Sequence, residues 1–362
     1  MFLTSVIRLP GFEVGGEFLN LYGLEPCKTS LNTINFLAKS PMAEYIAIEE
    51  EPEAYKKRYF KGCLALNPKS NILVSRYGGL GDIQFILPAI KEIKKRYPEV
   101  KIRMAVMEKD REMIHNCDFI DSFCQTHFPT VKDLEWSDYV LDFFDTVEGI
   151  GEDEAKLRNP IDISAEIVGL KLSDYKGFWK TTVEEKKWAE SIFAGRKGLK
   201  IAMPLSASSP HRSWTLQDEL IQKLVEWNKD ITVVIFGEGQ GHAEAVYNRI
   251  KRLNIPNVID MVGKTTTRQY VNLALEADCI FTNDSGIVNL GAIFDKKILA
   301  IYSTVPAETR INHYETVQGL QVKSSCSPCY KLSAECLHKD KCLNTVTVNE
   351  VFTKIVSMLE VK

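Results

Sequence analysis

The sequence predicts an α/β fold made of two domains that face one another. Three observations indicate it: a strand, a glycine-rich loop and an amphipathic helix follow one another from residue 71; a similar pattern restarts near residue 199; and a polar stretch separates the two. The length of 362 residues also fits two domains of about 100–200 residues each.

The first pattern begins with residues 71–75, a short apolar run typical of a buried strand. Apolar residues at helical spacing then predict a helix over residues 82–97, which ends before Pro98. Residues 101–107 are typical of the next strand. A strand, loop, helix and strand in this order predict the start of an open α/β sheet.

The second pattern begins with a strand at residues 199–204. Thr215 precedes Asp218 by three residues, the spacing of a capping box, and therefore predicts a helix start. Further apolar runs predict three strands and a last helix, at residues 231–236, 279–282, 297–302 and 348–359.

Composition and charge exclude several classes of protein. Hydrophobic residues make up 45% and charged residues 26% of the chain, and 45 basic against 48 acidic side chains leave a net charge of −3. This balance disfavours a dedicated nucleic-acid-binding protein. The chain contains no GxxxxGK[ST] or HExxH motif and no membrane-length apolar run. Without a recognisable secretory signal, we expect a cytoplasmic location.

The loop of residues 76–82 reads RYGGLGD and joins the first strand to its helix. Gly79 and Gly81 lack Cβ atoms, so a ligand can approach the backbone there. Asp82 has two interpretations: it caps the helix, or it is a general base that takes a proton from an attacking hydroxyl. One carboxylate can do both.

A loop rich in hydroxyl groups follows the strand at residues 199–204 and contains Ser206, Ser208, Ser209 and Arg212. Hydroxyl groups and the planar, permanently charged Arg side chain suit the oxygen atoms of a phosphate. The alternative is an ordinary surface loop with an exposed arginine.

A third candidate segment, Asp284, Ser285 and Gly286, precedes a short predicted helix. Small residues at a helix N-terminus allow backbone amides to receive a diphosphate. Simple capping of the helix by Asp284 or Ser285 explains the pattern equally well.

Four cysteines lie within 17 residues, with the spacing Cys326-x2-Cys329-x6-Cys336-x5-Cys342. Four thiolates suit a tetrahedral structural ion such as zinc or iron and leave no open position for a substrate. Reduced thiols or partial disulfides are the alternative.

Taken together, these segments resemble glycosyltransferase family 9, whose best-known members are ADP-heptose:lipopolysaccharide heptosyltransferases. The resemblance covers roughly residues 70–345 and is carried by the RYGGLGD loop, the hydroxyl-rich loop, the Asn-Asp-Ser-Gly turn at residues 283–286 and the first cysteine pair. It implies a GT-B fold, with two Rossmann-like domains facing one another across a cleft. It also implies an inverting, metal-independent transfer of a sugar from a nucleotide donor.

The resemblance assigns roles residue by residue. It implies that Asp82 is the catalytic base and that Arg212 stabilises the leaving group. It implies donor binding by a larger set: Gly79, Gly81, Ser206, Ser208, Ser209, Thr265, Asp284, Ser285, Gly286 and Asn289. The family usually has a histidine at the position of Asn289; asparagine can still donate a hydrogen bond to the sugar but cannot carry a charge. The family often has a lysine at the position of Arg212, and either cation can stabilise the leaving group.

The resemblance also implies the organisation of the chain. We expect an N-terminal extension of unclear role, an acceptor domain, a donor domain that contains the four cysteines, and a C-terminal helix, at residues 1–66, 67–180, 195–345 and 346–362.

The expected function is therefore the transfer of a heptose-like sugar from a nucleotide sugar, with ADP favoured, to a hydroxyl of a glycan or protein. We expect no cofactor for catalysis, and at most a structural zinc or iron ion at the cysteines. The alternative function is a catalytically silent protein of the same fold that binds sugar nucleotides or assists assembly.

Overall fold

The computed structural model describes residues 66–76, 78–114, 116–125, 129–143, 146, 157–329 and 341–360, and the shorter segments 2–5, 8–14, 17–22, 27–29, 37 and 46–49. The chain divides into two compact units, each of which is described by itself below. Unit 1 contains Met1–Ile150 and Pro160–Tyr175, and unit 2 contains Gly151–Asn159 and Lys176–Lys362.

Unit 1 begins with two small antiparallel sheets. Their strands are β1 (Phe2–Ser5), β2 (Arg8–Val14), β3 (Glu17–Tyr22), β4 (Cys27–Lys28) and β5 (Ile46–Glu49). Strand β1 lies between β4 and β5 in a three-stranded sheet, and β2 pairs with β3.

Unit 1 also contains a parallel sheet of four strands, in the order β8-β7-β6-β9, together with helices. The strands are β6 (Asn71–Ser75), β7 (Lys101–Ala105), β8 (Ser122–Phe123) and β9 (Tyr139–Asp142). The helices are α1 (Leu80–Arg96), α2 (Glu108–Ile114), α3 (Val131–Trp136) and α4 (Pro160–Val168). In register, Ile72 of β6 lies between Ile102 of β7 and Tyr139 of β9.

Helix α1 forms because one face of it is apolar. That face is buried and carries Ile83, Ile86, Leu87, Ile90 and Ile93, the residues whose spacing predicts the helix. Three basic residues in its last turn lie where the helix dipole favours positive charge. Because α1 follows β6 through the glycine-rich loop, its N-terminus lies after the carboxyl end of that strand.

Unit 2 has a parallel sheet of six strands in the order β12-β11-β10-β13-β14-β15. The strands are β10 (Lys200–Pro204), β11 (Thr232–Phe236), β12 (Val258–Asp260), β13 (Cys279–Asn283), β14 (Lys297–Tyr302) and β15 (Val317–Gln321). The helices are α5 (Val183–Ile192), α6 (Gln217–Trp227), α7 (Glu244–Leu253), α8 (Thr267–Leu275), α9 (Ile287–Ile293), α10 (Glu308–Ile311) and α11 (Val348–Glu360).

The order of these six strands determines where a ligand can bind. Strand β10 comes first in unit 2 but lies in the middle of the sheet, between β11, the second strand, and β13, the fourth. Successive strands are added on one side of β10 as far as β12 and then on its other side from β13 onwards. Open α/β sheets bind ligands beside the carboxyl ends of the strands where the order reverses in this way. The loops that follow β10 and β13 contain two of the candidate segments predicted above.

The predicted α/β class is confirmed, but one local prediction is wrong. Helix α6 begins at Gln217 and has no side-chain cap, so Thr215 and Asp218 form no capping box. Asp218 instead accepts a hydrogen bond from Nε of Arg249 at 2.8 Å, because α7 packs beside α6. Among the helices that the structure describes, none is long and apolar enough to cross a membrane.

Candidate functional site

The first candidate site is the loop between β6 and α1. The Gly79 amide, at the N-cap of α1, donates a hydrogen bond of 2.6 Å to Oδ2 of Asp82. The other oxygen of Asp82, Oδ1, lies 3.0 Å from Nη2 of Arg76. The Asp82 side chain keeps 25% of its surface exposed. The N-cap residue is therefore Gly79, and not Asp82 as one interpretation predicts; Asp82 is the third residue of the helix, its side chain bonds back to the N-cap amide, and its carboxylate is still partly exposed to solvent.

Gly78 makes this arrangement possible. Gly78 has a φ of +147°, and a Cβ atom there would lie 2.6 Å from Oδ2 of Asp82. A side chain at Gly78 would therefore displace the carboxylate. Gly81 lies in the first turn of α1, one residue before Asp82.

The loop after β10 is held by its own hydroxyl groups. The Ser209 hydroxyl accepts a hydrogen bond from the His211 amide and caps a 3-10 turn at Pro210–Arg212. Ser213 accepts from the Ala207 amide at 3.0 Å and donates to the Ser209 carbonyl at 2.9 Å. These bonds fix the backbone on both sides of Arg212.

Arg212 connects two of the candidate segments. Its Nη1 donates to Oδ2 of Asp284 at 3.3 Å, and its Nη2 donates to the Ser208 hydroxyl. The side chains of Arg212 and Asp284 are 19% and 17% exposed. The structure therefore brings the cation, a hydroxyl group and an acidic residue together between the ends of β10 and β13, and this arrangement can bind an anionic group such as a diphosphate.

The turn after β13 does not cap α9 with a side chain. Gly286 is the N-cap residue of this helix, and no side chain bonds to its first amides. Asp284 binds Arg212 instead, and the Ser285 hydroxyl lies 3.0 Å from that of Thr282. The capping alternative therefore does not explain why Asp284 and Ser285 occupy this turn.

Three further residues of the predicted donor site are buried or half-buried. Asn289 is 6% exposed, and its Oδ1 accepts a hydrogen bond of 3.2 Å from the Tyr314 hydroxyl. Thr265 follows β12, at the same edge of the sheet but two strands from β10, and is half-buried. Ser206 is also half-buried and lies two residues after the end of β10.

Two residues that hold these loops, Arg76 and His242, were not predicted from the sequence. Arg76 contacts Asp82, although it lies within the RYGGLGD segment and its positive charge is a visible signal. His242 contacts the Ala207 carbonyl through Nε2 at 2.9 Å and connects the turn after β11 to the hydroxyl-rich loop. No local pattern indicates His242, because the contact depends on β10 and β11 being neighbours.

The cysteine segment is only partly described. Cys326, Cys329 and Cys342 are partly exposed thiols, and the predicted ligand Cys336 lies outside the described residues. The Cys326 sulfur lies 3.3 Å from the Ser324 hydroxyl. Within the part of the chain that is described, no three His, Cys, Asp or Glu side chains cluster closely enough to hold a metal ion.

Comparison with known families identifies one match. Residues 154–339, just over half of the chain, match the model of glycosyltransferase family 9 (heptosyltransferase). Lipooligosaccharide heptosyltransferase 2 of Campylobacter jejuni is 26% identical over 132 residues, which are 35% of this chain and 41% of that protein. The aligned segment thus spans about two fifths of the curated relative.

Solved structures share the fold over most of the chain. An Escherichia coli ADP-heptose LPS heptosyltransferase II has a TM-score of 0.58 and 14% identity, and the match covers 80% of this chain and 98% of that one. The iron-containing dodecameric glycosyltransferase TibC from enterotoxigenic E. coli H10407 has a TM-score of 0.59 and 13% identity, with 82% and 80% covered. These similarities confirm the expected GT-B fold.

Proposed function

Since the chain belongs to glycosyltransferase family 9, we propose that it is a glycosyltransferase that transfers a heptose from ADP-heptose to a hydroxyl group of a lipopolysaccharide or lipooligosaccharide acceptor. The relatives support this choice of donor and acceptor, because one is named as an ADP-heptose LPS heptosyltransferase and another as a lipooligosaccharide heptosyltransferase. A protein hydroxyl is the second acceptor class, and a heptose-like sugar other than heptose is the second donor class.

The observation that carries this proposal is the contact of Arg212 with Asp284 and Ser208, at the point of the unit 2 sheet where α/β proteins bind ligands. We propose that Arg212 binds the diphosphate of the donor and stabilises the negative charge that grows there as the sugar leaves. The hydroxyl groups of Ser206, Ser208 and Ser209 and the turn at Asp284, Ser285 and Gly286 complete the donor site, with Thr265 on the nucleoside and Asn289 on the sugar.

In the proposed mechanism, Asp82 accepts the proton of the acceptor hydroxyl. The oxygen forms a bond to the anomeric carbon while the bond from that carbon to the diphosphate breaks on the opposite face, so the configuration inverts and ADP leaves with the electron pair. The positive charge of Arg212 takes the role that a divalent cation has in other transferases, so the proposed reaction is independent of metal ions. Gly79 and Gly81 keep the backbone beside Asp82 open.

The test is the turnover of the Asp82→Asn variant, measured as ADP release from ADP-heptose with a lipopolysaccharide core acceptor. Loss of a general base typically lowers kcat by about 10²–10⁴-fold, and we expect the affinity for ADP to be unchanged. Asp118→Asn changes an exposed aspartate of the same unit and is the matched control. Unchanged kcat in Asp82→Asn would exclude Asp82 as the base.

The alternative, a silent protein that binds sugar nucleotides, predicts a different result for the wild-type protein. ADP-heptose would then raise the melting temperature, because a ligand that binds only the folded state stabilises it, but no ADP would be released with any acceptor. Asn289, in place of the usual histidine, is the residue that favours this alternative. ADP release that depends on the acceptor would exclude it.

We also propose a structural metal site at the four cysteines and a cytoplasmic location. The four cysteines are proposed to hold a structural metal ion with no role in catalysis, and the description of TibC as an iron-containing protein supports iron beside zinc as a candidate. The cytoplasmic location expected from the sequence also stays a prediction.

A further inference from the structure

Arg76, at the end of β6, is a charged side chain that is completely buried. Its side chain is 0% exposed, and Nη2 lies 3.0 Å from Oδ1 of Asp82. A guanidinium keeps its charge at every pH that a protein experiences, so burying it is costly unless an anion lies beside it. One anion that lies beside Arg76 is Asp82, the residue proposed to be the catalytic base.

The two oxygens of Asp82 are held by two different donors. Arg76 binds Oδ1 from the interior, and the Gly79 amide binds Oδ2 from the loop. Two donors on different oxygens fix the rotation of the carboxylate about its side-chain bonds. A carboxylate has about four lone-pair positions, so the exposed face of Asp82 can still accept the proton of a hydroxyl group.

Other acidic residues lie close to this pair. Asp110 of α2 is 1% exposed, and burial raises its pKa to about 6; the positive charge of Lys109 opposes this effect, and the negative charge of Asp82 adds a smaller increase. Asp142 of β9 lies opposite Ser75 in register, one residue from Arg76. Without the Arg76 guanidinium, repulsion from the Asp110 carboxyl group would favour other positions of the Asp82 side chain.

We propose that Arg76 is a positioning residue for the reaction, whose buried guanidinium holds the Asp82 carboxylate in the orientation that accepts the acceptor proton. The inference rests on the proposed function, because it requires Asp82 to be the base. The positioning role also requires that Arg76 affect turnover through Asp82, whereas the proposed function requires nothing of Arg76.

The first test compares Arg76→Met, which keeps an unbranched apolar side chain and removes the charge, with Arg76→Lys, which keeps the charge. A misplaced catalytic group can lower a rate by about 100-fold, so we expect Arg76→Met to lower kcat by about 10–100-fold. The KM for ADP-heptose should stay within about twofold, because the donor is proposed to bind unit 2. Arg76→Lys should recover part of kcat.

A matched control separates positioning from general stabilisation. Arg103 of the neighbouring strand also pairs with an aspartate, with Nη1 3.0 Å from Oδ1 of Asp133, and its guanidinium stacks on Trp136. Arg103→Met should lower the melting temperature of unit 1 and leave kcat unchanged. If Arg103→Met lowers kcat as much as Arg76→Met does, the loss reflects destabilisation and the proposal is wrong.

A double-mutant cycle gives the decisive result. In the Asp82→Asn background, measured by single-turnover incubation, Arg76→Met should change the residual rate by less than about twofold, since residues that act as a unit are not additive. An equal loss in both backgrounds would overturn the proposal. If Arg76→Met does not fold, Arg76→Lys completes the same cycle.

The outcomes also separate this inference from the proposed function. Absence of ADP release from ADP-heptose in the wild-type protein would contradict the proposed function, whereas full turnover in Asp82→Asn would exclude Asp82 as the base and, with it, the positioning role of Arg76. A severe loss in Asp82→Asn together with wild-type kcat in Arg76→Met would leave the proposed function intact and exclude only the positioning role of Arg76.

Discussion

Nη1 of Arg212 lies 3.3 Å from Oδ2 of Asp284, and this pair joins the ends of two neighbouring strands that are separated by two others along the chain. The other terminal nitrogen of Arg212, Nη2, donates a hydrogen bond to the Ser208 hydroxyl. A diphosphate that binds Arg212 must therefore either replace Asp284 as its partner or bind Arg212 while the contact with Asp284 remains. Both cases make the affinity for ADP sensitive to this one side chain.

The first prediction concerns Arg212→Ala. Hydrogen bonds that involve a charged group contribute about 1.5–3 kcal/mol each, so we expect the affinity for ADP to fall by about 10–100-fold. Arg212→Lys keeps the charge but not the planar fork and should give an intermediate loss. Isothermal titration calorimetry with ADP at a fixed salt concentration measures both.

Arg249→Ala is the control for Arg212→Ala. Arg249 also pairs with an aspartate of unit 2, Asp218, at 2.8 Å, but this pair involves none of the predicted donor-binding residues. We expect a lower melting temperature and unchanged affinity for ADP. Weaker ADP binding in both variants would mean that a general disturbance of unit 2, rather than loss of a phosphate contact, explains the result.

The second prediction concerns Gly78→Ala. The φ of +147° is unfavourable for alanine, and the new Cβ would lie 2.6 Å from Oδ2 of Asp82. Backbone strain of this kind costs about 1–3 kcal/mol, so chemical denaturation should show a lower free energy of unfolding. The carboxylate must also move, and we expect a lower kcat.

Gly195→Ala provides the comparison for Gly78→Ala. Gly195 also has a positive φ, +79°, but an added Cβ would have nothing within 4 Å. This variant should lose stability and keep its kcat. A wild-type kcat in Gly78→Ala would show that the reaction does not depend on the present position of the Asp82 carboxylate.

The strands were predictable because parallel strands are buried on both faces and appear as continuous apolar runs. Strand β14, Lys297–Tyr302, has the bounds that the sequence predicts, and helix α11, Val348–Glu360, extends one residue beyond its prediction. The start of helix α6 at Gln217 was not predictable from the spacing of Thr215 and Asp218. Arg249, 31 residues after Asp218, binds that carboxylate in place of a capping contact.

The site could be predicted in part for the same reason. Asp82, Arg212 and Asp284 follow strands and lie in short polar segments, so they stand out in the sequence. The contact between Arg212 and Asp284 depends on the order of the strands in the sheet, which local patterns do not specify. Arg76 was missed because arginine is rarely buried, and only the structure shows that its side chain is enclosed.

The third prediction concerns the cysteine segment. If it holds a metal ion, the protein purified under reducing conditions should contain about one zinc or iron ion per chain by elemental analysis. Cys326→Ser and Cys329→Ser should lose the ion and retain kcat. Cys124→Ala should retain the ion, because burial and the nearby Asp133 raise the pKa of Cys124 to about 12 and keep it a thiol. Metal-free wild-type protein would contradict the proposal.

The fourth prediction follows from Asp110, whose pKa burial raises to about 6, with the charge of Asp82 adding to the effect. The folded state binds this proton more tightly than the unfolded chain, so its contribution to stability is complete below about pH 4 and is lost as the pH rises through 6. The size of this loss is about 2–3 kcal/mol. Asp110 therefore makes the folded protein less stable at neutral pH than at pH 4, in contrast to a typical carboxylate with a lowered pKa.

Asp110→Asn removes this titration, so the free energy of unfolding of the variant relative to the wild type should rise by about 2–3 kcal/mol between pH 4 and pH 7, as measured by urea denaturation at each pH. Asp121→Asn is the control with the opposite sign. Hydrogen bonds from Lys94, the Ile102 amide and Lys101 outweigh the effect of burial and lower the pKa of Asp121, so that carboxylate stabilises the folded state at neutral pH and loses its effect in acid. The relative stability of Asp121→Asn should therefore fall as the pH rises. Parallel pH profiles for Asp110→Asn and the wild type would show that the pKa of Asp110 is the same in the folded and unfolded states and would contradict the prediction.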